Sequence, residues 1–355
     1  MDQQATEQKL PDLSWSIAGT WNESLLNRID RPLKIRDYVW ASEIGGSMID
    51  RFLKMNGVPQ TNPPNPRSLR KFEAGNLFEF ILEFVLKRAG ILLDSQEWIN
   101  FKYPKLLRVT GKLDFIAGGQ PDWAKARAEI DRLGLPEMLS RASLAIVDNL
   151  ESTFGNESLR KIILEAKSIS SFMMDRYEAT GQANPNHRCQ LFHYLKGKDM
   201  REGHVVYICR DDCRMLELGV FNPSQVETEY KQDLEQITYY IETQTEPRKE
   251  DEVLFDETIF SFQKNWRIEY SGYLTKLYGF KEPMDYREKW DKPVAAMNRV
   301  FKRCVTGAKM TDLNLKVIEQ SKRHFPLWDE YVDRAKEAAK SNPKIIAEET
   351  DAEAA

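Results

Sequence analysis

The sequence contains little cysteine and no long apolar run. Only four cysteines, Cys189, Cys209, Cys213 and Cys304, occur in 355 residues. They are too few and too scattered for a disulfide scaffold, so we expect reduced thiols. No stretch approaches the roughly 18 consecutive apolar residues of a membrane-spanning helix, and the start, MDQQATEQKL, lacks the pattern of a secretory signal. These absences predict a cytoplasmic protein without membrane association.

An excess of one charge sign is also missing. Lys and Arg total 51 and Asp and Glu total 55, for a net charge of −4, which argues against a protein that coats nucleic acid through its overall charge. Phosphate binding would need a local basic patch, although a solvated surface explains such a patch more simply when it is considered alone. One segment has this excess, with Arg31, Lys34, Arg36, Arg51, Lys54, Arg67, Arg70 and Lys71 against Asp37, Glu43 and Asp50.

Several catalytic signatures are absent as well. No serine or cysteine lies beside a histidine in a nucleophile motif, no glycine-rich loop ends in Lys-Ser or Lys-Thr, and the four histidines form no zinc signature. A helicase or ATPase is therefore excluded, and any hydrolysis is expected to proceed without a covalent intermediate.

The composition is that of an ordinary globular protein, with 41% hydrophobic and 30% charged residues. The length predicts one elaborated domain or two. A polar N-terminal segment at 1–30 is followed by a core at 31–224, which contains a helical insertion at 121–158. A mostly helical extension is expected at 225–340, and the acidic tail at 341–355 is expected to be disordered.

The core alternates helix and strand signals. A long helix is expected from Arg67 to Gly90, because its apolar residues recur at three- and four-residue steps. Together with the strands, this pattern predicts an α/β (α+β) fold. The strands are expected at 97–103, 106–117, 161–167, 204–209 and 215–221, with a polar loop at 177–186 and a short helix at 187–195.

The strand KIILEAK at 161–167 carries the most informative motif. Alternation along a strand places the Glu165 carboxylate and the Lys167 ammonium on one face, while Ala166 points away. Burial of such charges at the end of an apolar strand is costly without a metal ion or other partners. A simple ion pair at a strand end is the alternative, and this motif alone leaves both open.

Two further acids are placed to join this pair. Asp114 of GKLD lies in an apolar strand expected to pair with the 161–167 strand, and Gly111 leaves space for close approach of substrate or backbone. Glu79 of GNLFE lies one helical turn from Glu83, an unfavourable pairing of like charges that a cation would reverse. A turn aspartate and a solvated acidic face are the alternatives for these two motifs.

The motif QLFHY at 190–194 places Gln190 and Tyr194 one helical turn apart. Their amide and phenol therefore project together, as would suit hydrogen bonding to a phosphate or stacking on a base. A core tyrosine beside a surface glutamine is the alternative.

In this order, and preceded by a helix bearing GNLFE, the motifs GKLD, EAK and QLFHY resemble the PD-(D/E)XK nuclease superfamily over roughly residues 36–222. The Q-x-x-x-Y element after E-x-K is typical of the branch that contains RecB-type nuclease domains, CRISPR adaptation nucleases and phage lambda-type exonucleases. The resemblance implies a restriction-endonuclease-like fold, with a central mixed sheet flanked by helices. It also implies a metal-dependent deoxyribonuclease with Mg²⁺ or Mn²⁺ as cofactor.

The resemblance implies a catalytic role for each acidic and basic motif residue. Asp114 and Glu165 are expected to ligate the metal, and the Ala166 carbonyl is expected to complete the shell. Glu79 matches a helical acid that contacts the metal region. Lys167 is expected to position the attacking water and to help deprotonate it.

Contacts to DNA are implied for other positions. Gln190 and Tyr194 are expected to hold the DNA strand. The segment 36–57 takes the place of a helix that lies near the DNA in relatives, which strengthens the case for the basic patch. The resulting candidates for substrate binding are Ser42, Arg51 and Arg70.

Three functional hypotheses remain at this point. The first is an exonuclease used in phage or mobile-element recombination or DNA processing, and the second is an endonuclease of the same fold. The third is a DNA-binding or assembly protein whose 225–340 extension recruits a partner such as a single-strand annealing protein. The cysteine positions do not match the iron–sulfur members, so no Fe–S cluster is expected, and a homo-oligomer is compatible with the sequence but indicated by no motif.

Overall fold

The computed structural model describes residues 17–27, 34–219, 223–257 and 259–341. The chain divides into two compact units, of which the first comprises Met1–Pro59 and Pro63–Pro247 and the second comprises Gln60–Asn62 and Arg248–Ala355. Predictions for 1–16 and for the tail at 342–355 lie outside the described residues. Within the described residues, no helix is long and apolar enough to cross a membrane.

The first unit consists of two sheets flanked by helices, which confirms the predicted fold class. Its helices are α1 (Ile17–Asn27), α2 (Met48–Met55), α3 (Pro66–Arg88), α4 (Trp123–Arg132), α5 (Glu137–Phe154), α6 (Ser171–Thr180), α7 (Pro185–Lys198) and α8 (Pro223–Thr243). Its strands are β1 (Tyr38–Trp40), β2 (Leu92–Ser95), β3 (Trp98–Phe101), β4 (Arg108–Lys112), β5 (Phe115–Gly119), β6 (Leu159–Ile169), β7 (Gly203–Cys209) and β8 (Met215–Gly219).

The larger sheet is mixed and has the strand order β2-β5-β6-β7-β8. β6 and β7 run parallel, whereas the other neighbours are antiparallel. The pairing of β5 with β6 places Asp114, the last residue of GKLD, beside the EAK segment, and the predicted helical insertion between them forms α4 and α5. The smaller sheet has the order β1-β4-β3.

Alternation along β6 separates the apolar core from the polar face. Ile162 and Leu164 are buried in the core that α3 and α5 cover, and full burial of such a side chain contributes roughly 1.5–3 kcal/mol. Ile163 and Glu165 point to the opposite face, where α7 packs on the sheet. The acidic motif is therefore built into a strand that the core holds in place.

The single strand expected at 106–117 is wrong, because the chain forms two strands, β4 and β5, in different sheets. The break falls at Leu113 and Asp114. Gln96 lies opposite, has a φ of 58° and donates its backbone N–H to the Asp114 carbonyl at 3.0 Å. A bend at Gln96 thus carries the hairpin from the smaller sheet to the larger one and places Asp114 at the junction.

Two predicted boundaries also need correction. The loop expected at 177–186 is shorter, because α6 continues to Thr180 with the Tyr177 side chain buried. The core does not end at 224, because α8 packs on α2 and α7 through a buried apolar face and belongs to the first unit. That face consists of Val226, Tyr230, Leu234 and Ile237.

The second unit is mostly helical, as expected for the C-terminal extension. Its own apolar core includes Phe262, Phe301 and Trp328, and the rings of Phe262 and Trp328 stack with their centroids 5.0 Å apart. Its strands are β9 (Val253–Asp256) and β10 (Ser261–Lys264), and its helices are α9 (Trp266–Glu269), α10 (Leu274–Tyr278), α11 (Pro283–Thr306), α12 (Asp312–His324) and α13 (Trp328–Ser341).

Glu217 on β8 makes the stability of the first unit depend on pH. Its side chain is 7% exposed, and both carboxylate oxygens are buried without a hydrogen-bond partner among the described residues. Burial raises the pKa of Glu217 to about 8. His204 lies 3.7 Å away, but burial lowers its pKa, so near neutral pH it does not supply a compensating charge.

We expect Glu217→Gln to stabilise the protein at pH 9 but not at pH 4. The folded chain retains a proton that the unfolded chain releases from about pH 4.5 upward, so the free energy of unfolding falls as pH rises to about 8. Glutamine does not ionise and so avoids this loss of stability. We expect the free energy of unfolding to be higher by roughly 1–3 kcal/mol at pH 9. Urea unfolding of both proteins at the two pH values measures it, and an equal difference at both pH values would contradict the assignment.

Candidate active site

Asp114 and Glu165 are neighbours across the β5–β6 pair. Because Phe115 is paired with Leu164 in this antiparallel ladder, the preceding and following residues, Asp114 and Glu165, face each other on the opposite side from the apolar core. The Asp114 carboxylate also accepts the backbone N–H of Ala166 at 2.8 Å. The hydrogen bond anchors Asp114 at the junction of the two sheets.

Lys167 completes the group on the same face of β6. Its ammonium donates to Oε1 of Glu165, as expected from their alternation along the strand. The Glu165 side chain is 0% exposed, whereas the Lys167 side chain is 25% exposed. The carboxylate therefore lies at the bottom of the site, and the lysine remains reachable from solvent.

The three charges perturb one another strongly. Burial raises the pKa of Asp114 well above its usual range, and the adjacent Glu165 carboxylate raises it further. Burial also raises the pKa of Glu165, although Lys167 opposes the shift. For Lys167 burial lowers the pKa, but the two carboxylates outweigh it and raise the pKa overall. Lys167 is therefore an ammonium, whereas it is unfavourable for Asp114 and Glu165 to be ionised at the same time.

Glu79 contributes a third negative charge from α3. Its charge raises the pKa of both Asp114 and Glu165, so it lies within their electrostatic reach. Its Oε1 accepts a hydrogen bond from the side-chain amide of Gln96. Glu83, one turn further along α3, instead accepts the Ser95 hydroxyl at 2.7 Å. Of the two α3 acids, Glu79 is the one associated with the site.

The donor set fits a hard divalent cation held mainly by two carboxylates. Glu165 Oε2 is buried without a hydrogen-bond partner among the described residues, and Asp114 adds a second oxygen-rich group beside it. The described residues contain no group of three His, Cys, Asp or Glu side chains that could hold a metal ion, and the expected contact of Glu79 with the metal region stays a prediction. Mg²⁺ commonly uses one or two carboxylates with water and substrate phosphates as its remaining ligands.

Gln190 and Tyr194 are both buried on α7. Tyr194 is 1% exposed and Gln190 is 7% exposed. The Gln190 amide donates to the Tyr194 hydroxyl at 3.1 Å, and this hydroxyl donates to the Lys112 carbonyl at 3.0 Å. Both polar groups bind each other and the end of β4, and their direct contact with DNA stays a prediction. They fix the strand that leads into Asp114.

Gly111 explains why Tyr194 can reach this position. A Cβ at Gly111 would lie 2.7 Å from the Ala41 Cβ and 2.9 Å from the Tyr194 hydroxyl oxygen. The space expected for substrate or backbone is thus filled by α7 and by the 3₁₀ turn at Ala41–Glu43.

The basic patch is partly neutralised within the fold. Arg51 is 2% exposed and binds both carboxylate oxygens of Asp233 at 2.7 Å, which links α2 to α8, and its expected contact with DNA stays a prediction. Arg36 binds Glu43 through two hydrogen bonds in the same way. Ser42 is exposed on its turn, and Arg70 is half-buried and donates to Asn22 of α1.

Arg51→Met is expected to lower the free energy of unfolding by roughly 3–5 kcal/mol, because it leaves the Asp233 carboxylate without its buried partner. Thermal and urea unfolding measure the loss. The double variant Arg51→Met/Asp233→Leu removes both charges and should recover most of it. A single variant as stable as the parent would contradict this structural role.

His187 was not identified from the sequence as a site residue. Burial and then the Lys167 charge lower its pKa to about 3, which places a neutral imidazole near the lysine. Its Nδ1 lies 2.9 Å from the Tyr207 hydroxyl. The spacing of His187, Gln190 and Tyr194 at three- and four-residue steps could have identified it. Gln96 had no comparable signal, because its role depends on the bend between the sheets.

Comparisons with known proteins yield no assignment. No family model and no curated protein match the chain. The crystal structure of SSO0001 is 14% identical with a TM-score of 0.38, and the match covers 63% of this chain and 88% of that one. An alkaline exonuclease (LHK-Exo) from Laribacter hongkongensis is 12% identical with a TM-score of 0.33, and the match covers 63% and 95% respectively. Similarity at this level does not place the chain in a family.

Proposed function

We propose that the protein is a metal-dependent nuclease that hydrolyses phosphodiester bonds in DNA. The observation that carries the proposal is the group formed by Asp114, Glu165 and Lys167, in which a partly buried carboxylate just before β5 and a buried carboxylate on β6 lie beside one partly exposed ammonium. A fold that places like charges together away from water incurs a cost in stability. Such a cost is typical of sites that bind a cation or substrate.

Each residue of this group has a distinct task in the proposal. Asp114 and Glu165 hold the cation, and the Ala166 carbonyl is available as a further oxygen ligand. Mg²⁺ or Mn²⁺ would lower the pKa of a water molecule and offset charge on the phosphate. Lys167 donates hydrogen bonds to the attacking water and to the phosphate oxygens. Its ammonium supplies positive charge beside the phosphate, and its part in deprotonating the water is retained as an expectation of this proposal.

The specific form that we propose is an exonuclease of recombination or DNA processing, of the kind carried by phages and mobile elements. Support comes from the order of the GKLD, EAK and QLFHY motifs. A single-strand annealing protein is the partner that this role would call for. The test uses purified protein with end-labelled linear DNA and closed circular DNA, in the presence of Mg²⁺, Mn²⁺ or EDTA.

The outcomes of this test separate the candidate functions. Cation-dependent loss of linear DNA with an intact circle is expected for the exonuclease. Cleavage of the circle would replace it with an endonuclease that uses the same residues. Binding of DNA without cleavage under every condition would contradict the nuclease and favour the assembly protein.

We expect Glu79→Gln to lower the cleavage rate by about 10- to 100-fold, the range found when groups that support metal ligands are removed. The reason is that Glu79 acts on the charges of Asp114 and Glu165. Glu83→Gln is the matched control on the same helix, since its partner is Ser95, and its rate should stay within about threefold of the parent. Equal effects of the two substitutions in initial-rate assays would exclude a specific role for Glu79.

A further inference from the structure

The smaller sheet presents an aromatic face to solvent. Side chains alternate along β1, β4 and β3, so that Val39, Val109 and Ile99 are buried on one side. The other side carries Tyr38, Trp40 and Trp98 together with the cationic residues Arg108 and Lys112. We call these five residues the aromatic face.

The aromatic rings of this face form one connected group. Tyr38 and Trp40 meet edge to face with centroids 5.2 Å apart, and Trp40 and Trp98 lie 5.7 Å apart at an angle of 42°. Their indoles meet across β4, where Thr110 is 7% exposed. Trp98 is nevertheless 56% exposed. Trp98 therefore presents an exposed ring that Trp40 supports from the side.

Positive charge accompanies the rings. The Arg108 guanidinium lies 5.6 Å from the centroid of Tyr38, and Lys112 is paired in register with Trp98. Both cationic side chains are exposed, and neither forms an ion pair with a carboxylate in the described part of the chain. Aromatic rings beside uncompensated cations match the bases and phosphates of a nucleic-acid strand, since bases stack on the rings and phosphates bind the cations.

The aromatic face also adjoins the candidate active site along the chain. Lys112 precedes Asp114 by two residues across the break between β4 and β5, a separation of at most about 7 Å. Trp98 follows Gln96 by two residues, and the Gln96 amide holds the Glu79 carboxylate. The rings and the acids are therefore joined by short segments of one hairpin.

We propose that the aromatic face is a stacking site for single-stranded DNA, which it positions next to Asp114 and Glu165. Bases stack on Trp98 and Trp40, and Arg108 and Lys112 bind the flanking phosphates. The inference rests on the proposed function only in taking DNA as the substrate, because binding at this face needs neither the cation nor cleavage. In this proposal, the active site also receives a single-stranded end of the substrate or product, and not only an intact duplex.

Binding is measured with the full chain in EDTA, using the fluorescence anisotropy of a labelled oligothymidylate of about 12 nucleotides. We expect Trp98→Ala to weaken binding by about 5- to 100-fold, which corresponds to the loss of one stacked base. Trp98→Phe should retain most of the affinity. Trp266→Ala is the matched control, because Trp266 is 51% exposed and lies in the second unit, and it should bind like the parent.

Charge is tested separately by comparing Lys112→Gln with Lys161→Gln at about 50 and 200 mM salt. Lys112→Gln should lower the salt dependence of DNA binding by roughly one phosphate contact. Lys161→Gln, which replaces an exposed lysine on β6, should leave this salt dependence unchanged. A parallel oligouridylate titration determines whether RNA shares the site. Three results would each overturn the proposal. They are unchanged affinity of correctly folded Trp98→Ala, absence of DNA binding by the parent, and a sedimentation result in which Trp98→Ala loses self-association instead of DNA binding.

Failure of this inference and failure of the proposed function give different results. If Trp98→Ala loses binding while the parent never cleaves DNA, the stacking site stands and the nuclease does not. If the parent cleaves DNA and Trp98→Ala binds and cleaves as well as the parent, the nuclease stands and the stacking site does not.

Discussion

Replacement of Lys167 by alanine is expected to lower the rate of phosphodiester cleavage by a factor of about 10²–10⁴, the range for loss of a positioned proton-transfer or charge-stabilising group. Lys167 is the group in the site that combines a fixed positive charge with exposure to solvent. Its removal leaves Glu165 without its ion-pair partner, so the remaining acids repel one another more strongly. Single-turnover rates at saturating DNA measure the effect on chemistry separately from binding.

Lys161→Ala is the control for this substitution, because Lys161 lies on the same strand, is exposed and is remote from the acids. Its rate should match that of the parent. Lys167→Arg offers a second comparison, since it keeps the charge but changes the shape of the donor group, and it should recover only part of the activity. Full activity of Lys167→Ala would remove the lysine from the mechanism.

Asp114→Asn is expected to abolish both cleavage and stabilisation by divalent cations. Asparagine can still accept the N–H of Ala166 through its side-chain oxygen, so the junction between the sheets should persist. It loses the negative charge that binds the cation. For the parent protein, Mg²⁺ or Mn²⁺ at about 100 times the dissociation constant should raise the free energy of unfolding by roughly 2.7 kcal/mol, whereas the variant should gain nothing.

Thermal unfolding across a cation titration measures this effect without requiring any activity. Asp94→Asn is the control, because Asp94 is an exposed carboxylate on β2, the strand that pairs with β5. It should keep the full stabilisation. Equal stabilisation of the parent and Asp114→Asn would show that the cation binds elsewhere.

The parts of the fold that follow from local pattern could be predicted from the sequence. The period of the apolar residues predicted α3 and the insertion helices, and alternation predicted that Glu165 and Lys167 share a face of β6. Pairing of the strand after GKLD, β5, with the EAK strand was also confirmed. These features depend on nearest neighbours along the chain or on the burial of one apolar strand.

The features that the sequence did not predict depend on contacts between distant segments. Arg51 is neutralised by Asp233, which is far away in the sequence. Tyr194 is buried because Gly111 leaves room for it, and the 106–117 strand breaks because Gln96 bends the neighbouring strand. The sequence alone does not show whether a basic or polar side chain at helical spacing contacts DNA or a partner inside the protein.

The central claim is that Asp114 and Glu165 bind a cation that supports DNA cleavage with Lys167. Its most direct test is single-turnover cleavage of an end-labelled duplex by EDTA-treated protein, followed before and after addition of Mg²⁺, with Glu165→Gln measured in parallel. We expect cleavage to begin only after the cation is added and to be absent in Glu165→Gln, although that variant still binds DNA. Cleavage by the parent in EDTA, or cleavage by Glu165→Gln at the parental rate, would contradict the account.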